Sequence, residues 1–265
     1  AAATPSRSDG VKIATWNVNS IRRRVEAVLA WSETHGVDVL CLQETKVGDD
    51  QFPREPFERA GFHLAAFGEP QRNGVAILAK TAPEDVGRGL PGDDADPQAR
   101  WIEATVDGVR VASVYVPNGT TVGSDNFAYK LAFLERLGAR LDAAIEAETP
   151  LVVAGDYNVA PEPIDVCDPA GWEGGICFHL DERRAWRRLV NRGFTDAFRA
   201  LEPTARVYSF WEHKGRAFQT DEGVRIDHAL LSPQAADRLR EAAIDPGPRG
   251  EKEASDHAPL SVALA

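Results

Sequence analysis

The 265-residue sequence has no methionine and only three cysteines. Cys41, Cys167 and Cys177 are an odd set without metal-ligand spacing, so neither a disulfide framework nor a zinc ribbon is supported, and a reducing cytoplasm is the expected setting. Cys41 lies in the apolar run VDVLCL and reads as a small buried hydrophobe rather than a reactive thiol. No run approaches the roughly 18 consecutive apolar residues that span a bilayer. The start, AAATPSRSDG, also has no basic stretch leading into an apolar one, so neither a membrane anchor nor a secretory signal is expected. Residues 1–10 are small and polar and read as disordered or cloning-derived, outside the fold. Positive charge is scarce as well: 30 Lys and Arg stand against 41 Asp and Glu, a net charge of −11 that taken alone argues against a nucleic-acid partner. The balance reverses locally, because residues 183–225 hold ten basic and five acidic side chains, enough to grip a polyanion or simply to form a solvated Arg-rich helix.

What is present is an ordinary globular composition, 43% hydrophobic and 27% charged. Apolar runs of strand length recur at 11–16, 37–42, 74–79, 101–106, 109–116, 151–156, 225–231 and 260–265. Helical spacing appears in Ile21, Val25, Val28 and Leu29, and again in Phe127, Leu131, Leu134, Leu137 and Leu141, with Ser20 and Ser124 or Asp125 as candidate N-caps. Hairpins and helices without a strict βαβ repeat predict an α/β layered sandwich. The loops at 92–98, 117–124 and 160–175 lack linker composition, and no long-period repeat occurs, so 11–265 reads as a single domain.

Several strands end in oxygen-bearing side chains: Trp16-Asn17-Val18-Asn19, Gln43-Glu44-Thr45-Lys46 and Gly155-Asp156-Tyr157-Asn158. Arg225-Ile226-Asp227-His228 and Ser255-Asp256-His257 add more. Singly, each is compatible with a cap, a turn or a salt bridge. Converging, Asn17, Glu44, Asp156, Asn158, Asp227, Asp256 and His257 would crowd four carboxylates together, which requires a cation or shared protons. Oxygen donors with at most one imidazole select a hard ion, Mg²⁺ or Mn²⁺, and such an ion suits hydrolysis of a phosphate ester.

The ordered series WNVNSIR (16–22), LQETK (42–46), YVPNG (115–119), GDYNVAP (155–161), YSFW (208–211), GVRIDH (223–228) and SDHAP (255–259) resembles the exonuclease III family of apurinic/apyrimidinic endonucleases, within the endonuclease/exonuclease/phosphatase superfamily. The resemblance covers Val11 to Ala265 and implies a four-layer α/β sandwich, two packed mixed β-sheets flanked by helices with the site at one rim. It implies a DNA repair nuclease that cuts 5′ to abasic sites in double-stranded DNA, leaves a 3′-hydroxyl and also processes blocked 3′ ends, with no obligate protein partner. Carried over, Glu44 is the principal metal ligand with Asn17 and Asp256, and Asp156, Asn158 and His257 complete the candidate ligand set. Asp156 deprotonates the attacking water, which Asn158 holds. Asp227 fixes the tautomer of His257, whose ring binds the scissile phosphate together with the Tyr115 hydroxyl. Phe210, Trp211, Val224 and Ile226 resemble the slot for an extruded abasic sugar. Asn19, Arg22, Arg100, Lys130, Arg216 and Arg225 are candidates for DNA contact.

Two departures from the family pattern are visible. Asp221-Glu222-Gly223 places carboxylates where relatives often have Asn, and Val224 stands where strict abasic-site enzymes have a bulky aromatic, predicting a roomier slot. Two other functions fit the same residues less well. A lipid phosphodiesterase of the superfamily is disfavoured by Lys46, by the RIDH segment and by the lack of an apolar docking hairpin. A catalytically dead nucleic-acid-binding module is disfavoured because Glu44, Asp156, Asn158 and His257 are all present.

Overall fold

The computed structural model describes residues 10–265. Of the segment 1–10, only Gly10 falls within them; residues 1–9 lie outside the described residues. The strands are β1 (Val11–Asn17), β2 (Val39–Gln43), β3 (His63–Phe67), β4 (Val75–Ala79), β5 (Glu84–Arg88), β6 (Trp101–Val106), β7 (Val109–Tyr115), β8 (Leu151–Asp156), β9 (Thr195–Asp196), β10 (Asp227–Leu231), β11 (Leu239–Ile244) and β12 (Leu260–Leu264). They form two six-stranded mixed sheets, ordered β11-β12-β1-β2-β4-β3 and β5-β6-β7-β8-β10-β9.

Period-two alternation explains why the central strands read as unbroken apolar runs. Ile13, Val39, Cys41, Ile77, Val111, Val152, Ala229 and Leu231 point between the sheets. Their neighbours Trp16, Leu40, Leu42 and Leu78 point outward on the first sheet and pack against Val28 and Trp31 of α1 (Val25–Thr34) and Phe57 of α2 (Arg54–Arg59). On the second sheet Ala112, Val114, Val153 and Leu230 meet Phe133, Leu134, Leu137 and Leu141 of α3 (Asp125–Glu146). Four layers follow, helix, sheet, sheet and helix, as the resemblance implies.

Both candidate caps resolve differently. The Ser124 hydroxyl accepts from Phe127 N and caps α3. Ser20 caps nothing: it sits at φ 92° before a short 3-10 turn, Ile21–Arg23, and α1 begins four residues later than its register suggested. Strands β3, β5, β9 and β11 fall outside the apolar runs: edge segments such as Glu84–Arg88 face solvent and carry none, and β3 holds only the short stretch Leu64–Phe67. The long 160–175 segment is pinned by a short helix, α4 (Pro169–Trp172), and by fully buried Asp165, which pairs with Arg199 at 2.6 Å and Arg225 at 2.7 Å. Among the described residues no helix is long and apolar enough to cross a membrane.

Candidate active site

Each sheet contains one parallel pair, β1 with β2 and β7 with β8, joined through α1 and α3 respectively. Parallel strands end at the same edge, so Asn17, Glu44, Tyr115 and Asp156 arrive together. The antiparallel neighbours contribute their beginnings: Asp227 opens β10 directly opposite Asp156, and Asp256-His257 precede β12, whose Leu260 faces Thr15 of β1. Gly155 allows the close approach of β7 and β8 just before Asp156, because a Cβ there would meet Val114 O at 1.9 Å. Beneath the site, Gln43 Nε2 donates to Thr15 Oγ1 at 2.9 Å and to Ser113 Oγ at 2.9 Å, tying the two sheets together.

The Asn17 carboxamide joins the two acidic side chains, with Nδ2 donating to Glu44 Oε1 at 2.8 Å and to Asp156 Oδ2 at 2.9 Å. Glu44, Asp156 and His257 each offer one ligand atom, and these atoms lie within 4.8 Å of one another. The Glu44 and Asp156 carboxylates, at the ends of β2 and β8, are hard oxygen donors that suit a divalent cation. Asp256 lies outside this group. Its Oδ1 accepts from Asn19 Nδ2 at 3.1 Å, so Asp256 and Asn19 flank the cluster.

The electrostatics follow from this crowding. Burial alone would raise the Glu44 carboxyl, but hydrogen bonds from Lys46 and Asn17 outweigh it and hold the group below its ordinary range. Burial, with the neighbouring Asp227 and Glu44 carboxylates, pushes Asp156 up to about 7 against the pull of His257. Burial opposes a charged His257, yet Asp227 and Asp156 prevail and raise the ring to about 10. His257 Nδ1 and Asp227 Oδ2 are 2.8 Å apart, and both side chains are buried. Burial, followed by the Glu44 and Asp156 charges, raises Tyr115 well above the usual phenol value. Arg100 lies over the Tyr115 ring at 4.7 Å.

Asn158 stands at φ 51°, its Nδ2 donating to Val116 O at 3.0 Å and its Oδ1 accepting from Asn118 Nδ2 at 3.0 Å. Phe210 packs on His257 with ring centroids 4.9 Å apart. Val224 and Ile226 are buried in one apolar cluster with Phe178 and Cys177, against which Phe210 and Trp172 pack. A cavity of about 540 Å³ opens beside them, lined by Phe210, Val224, Trp172 and Lys214 among others. Trp172 thus supplies an aromatic ring next to Val224 from a different part of the chain.

Several expected DNA contacts are corrected. Lys130 is fully buried and donates to Asn118 O, Asn158 O and Glu182. Arg225 is equally buried and spent on Asp165 and Asp196. Neither cation can reach a phosphate. Trp211 is 2% exposed and belongs to the inter-sheet core rather than to the slot, donating from Nε1 to Asp221 Oδ1 at 3.1 Å. Much of the 183–225 charge reversal is also neutralised: Arg183 and Arg187 pair with Glu162, and Arg192 with Asp142. Arg22, Lys214 and Arg216 remain exposed.

Lys46, Asn118 and Cys177 also lie at the site, outside the expected set of ligands and contacts. Lys46 pairs with Glu44 at 2.7 Å and donates to Asn19 Oδ1 at 2.6 Å. Lys46 and Asn118 both lie inside the quoted motifs, which was the available signal. Cys177, whose Sγ lies 3.8 Å from Asn158 Oδ1, carried none.

Residues 14–257 match the model of the Endonuclease/Exonuclease/phosphatase family. The chain is 34% identical over 262 residues to the exodeoxyribonuclease III of Haemophilus influenzae, covering 94% of this chain and 98% of that protein. Among solved structures it superimposes on an AP endonuclease from Archaeoglobus fulgidus with TM-score 0.92 and 40% identity, covering 96% of this chain and 99% of that one. It likewise superimposes on the 3′ phosphatase NExo from Neisseria, solved with a product DNA hairpin, with TM-score 0.93, 37% identity and the same coverage. A strand-edge cluster of Glu44, Asp156 and His257 on a four-layer sandwich, together with a match over nearly its whole length, establishes that the chain belongs to the endonuclease/exonuclease/phosphatase family.

Proposed function

We propose that this chain is a divalent-metal-dependent DNA repair nuclease that hydrolyses the phosphodiester 5′ to an abasic site, leaving a 3′-hydroxyl, with accompanying 3′→5′ exonuclease and 3′-phosphatase or phosphodiesterase activity. The observation that carries this reading is the bridge from Asn17 to both Glu44 and Asp156 beside the Asp227–His257 pair. Relatives described as an exodeoxyribonuclease III, an AP endonuclease and a 3′ phosphatase support the three activities. The substrate is double-stranded DNA with abasic sites or blocked 3′ ends, and the ion is Mg²⁺ or Mn²⁺. Glu44 would be its principal ligand, and Asn17 orients both the Glu44 and the Asp156 carboxylates. When bound, the ion polarises a phosphate oxygen and offsets negative charge on the departing oxygen.

The protein's own groups perform the rest. Asp156 takes the proton of the attacking water, a task suited to a carboxyl whose burial raises its proton affinity. Asn158, fixed by Val116 O and Asn118, holds that water. Asp227 accepts the Nδ1 proton of His257, so Nε2 of the charged ring donates to a non-bridging oxygen of the scissile phosphate. The Tyr115 hydroxyl meets the same phosphate, and Arg100 and exposed Arg22 meet the flanking backbone. Phe210, Val224 and Ile226 receive the extruded sugar.

The test is a duplex with one abasic analogue, labelled at its 5′ end and incubated with and without Mg²⁺. A single nick at the lesion with a slower ladder from the 3′ end is expected. An intact duplex in the presence of Mg²⁺ and Mn²⁺ would overturn the reading.

A further inference from the structure

Lys130 projects from α3 into the interior, where it is fully buried, and all three of its ammonium donors are used. One goes to Asn118 O at 3.1 Å, in the loop after β7, and a second to Asn158 O at 2.6 Å, in the loop after β8. The third goes to Glu182, in the first turn of α5 (Leu180–Val190), whose carboxylate is as fully buried. Glu182 in turn accepts from Cys177 N at 3.2 Å and His179 N at 2.9 Å. Three separate loops at the site rim are therefore tied to one ammonium–carboxylate pair.

Two features indicate that the pair does more than hold the fold. A buried ion pair gains little over well-packed apolar residues of similar size, and Lys130 occupies a helix otherwise packed by Phe127, Phe133, Leu134 and Leu137. In addition, the backbone it fixes is strained: Asn158 at φ 51° and Cys177 at φ 69° are left-handed non-glycine residues, which persist where their surroundings over-determine them. The Asn118 and Asn158 carboxamides also bond to each other, so each residue is held at its carbonyl by Lys130 and at its side chain by the other. Gly119, at φ 90°, lets this loop lie against the lysine stem, where a Cβ would stand 3.1 Å from Lys130 Cδ.

We propose that Lys130 and Glu182 form a buried strut that positions the Asn118 and Asn158 carboxamides for the cleavage step. Both act through those asparagines and touch no substrate, so they are positioning residues. This inference rests on the nuclease reading above for its kinetic readout, and a second readout is independent of it.

The experiment compares the wild-type protein with a Lys130→Met/Glu182→Gln double variant, which leaves no buried charge unpaired. On the abasic duplex kcat is expected to fall about 10-fold to 100-fold, the loss typical of a misplaced catalytic group. KM and the Mg²⁺ half-saturation should stay within about threefold, because Glu44, Asp156 and His257 are untouched. In the same variant the side-chain amide NMR signals of Asn118 and Asn158 should shift or broaden while the urea midpoint stays near that of the wild type. An unchanged kcat in the folded double variant, unchanged amide signals, or a loss carried by KM or by the metal requirement would overturn the proposal. Should the double variant not fold, Lys130→Arg keeps the ion pair but cannot aim three donors from one atom. It should lose kcat at a normal urea midpoint, and wild-type kcat in that variant would equally overturn the strut. If the wild-type protein fails to cut abasic DNA, the nuclease reading falls and the amide signals still decide the strut.

Discussion

Asp227 and His257 are 30 positions apart and meet at 2.8 Å, Oδ2 to Nδ1, in a buried corner where the ring's other nitrogen lies 3.7 Å from Asp156 Oδ2. The second Asp227 oxygen, Oδ1, is buried with no hydrogen-bond partner among the described residues. A carboxylate left half-unsatisfied in the interior favours positive charge on the ring it touches. That is the state in which His257 can donate to a phosphate.

If the two side chains act as a unit, removing either should cost nearly as much as removing both. His257→Asn and Asp227→Asn are each expected to lower kcat by at least about 10²-fold, with the double variant little worse than His257→Asn alone. Single-turnover cleavage of abasic DNA measures the cycle, and losses that simply multiply would show that the pair is not coupled.

Chemistry and metal retention should separate at Asp156 and Glu44. Chelation should stop cleavage, with Mg²⁺ or Mn²⁺ restoring it. Asp156→Asn should cost at least about 10²-fold in rate, as expected for loss of a general base, while DNA affinity holds or improves because a negative charge is gone. Glu44→Gln should instead move the Mg²⁺ titration to higher concentration. Full activity in excess chelator would remove the metal from the account.

His228 gives the fold a pH dependence away from the site. Its ring is fully buried, accepting from Arg225 Nη1 at 3.0 Å and donating from Nε2 to Val159 O at 2.8 Å. Burial, followed by the Arg225 charge, lowers it to about 4 from an ordinary 6.5. Between those values the unfolded chain binds a proton that the folded chain refuses. The contribution is therefore complete above pH 6.5 and is lost as pH falls toward 4, on the order of 3 kcal/mol in all. Asp156 and His257 titrate with the opposite sign over this range, so His228 is isolated by comparing wild type with His228→Gln in urea unfolding at pH 7.5 and pH 5. The wild type should lose stability relative to the variant on acidification, and an equal pH response in the two would overturn the assignment.

The slot should discriminate by volume. Val224→Trp would fill part of the 540 Å³ cavity shared by Phe210 and Trp172, excluding a nucleotide that still carries its base more than an abasic sugar. Degradation of matched 3′ ends is expected to fall about 10-fold relative to abasic cleavage on the same scaffold. Equal loss of both activities would show that another wall sets the selectivity.

Much of the architecture was legible because its causes are local. Strands buried on both faces, such as Val75–Ala79 and Leu151–Asp156, must be continuously apolar, and the point where each run breaks into Asn, Glu or Asp marks the rim. Exposed edge strands such as β5 and β11 have no such requirement and left no trace. The motif residues Asn17, Glu44, Asp156, Asp227 and His257 were readable as a set. Which cations face solvent was not: Lys130 and Arg225 look in sequence like Arg22 and Arg100. Glu182, 52 positions from Lys130, and Asp165, 60 positions from Arg225, draw those two side chains inside. Composition and periodicity describe a residue's own preference for water or core, so they determined the layers and the rim. Ion pairing depends on which distant segments the closed sheets bring within a few ångströms, and only the tertiary structure decides that.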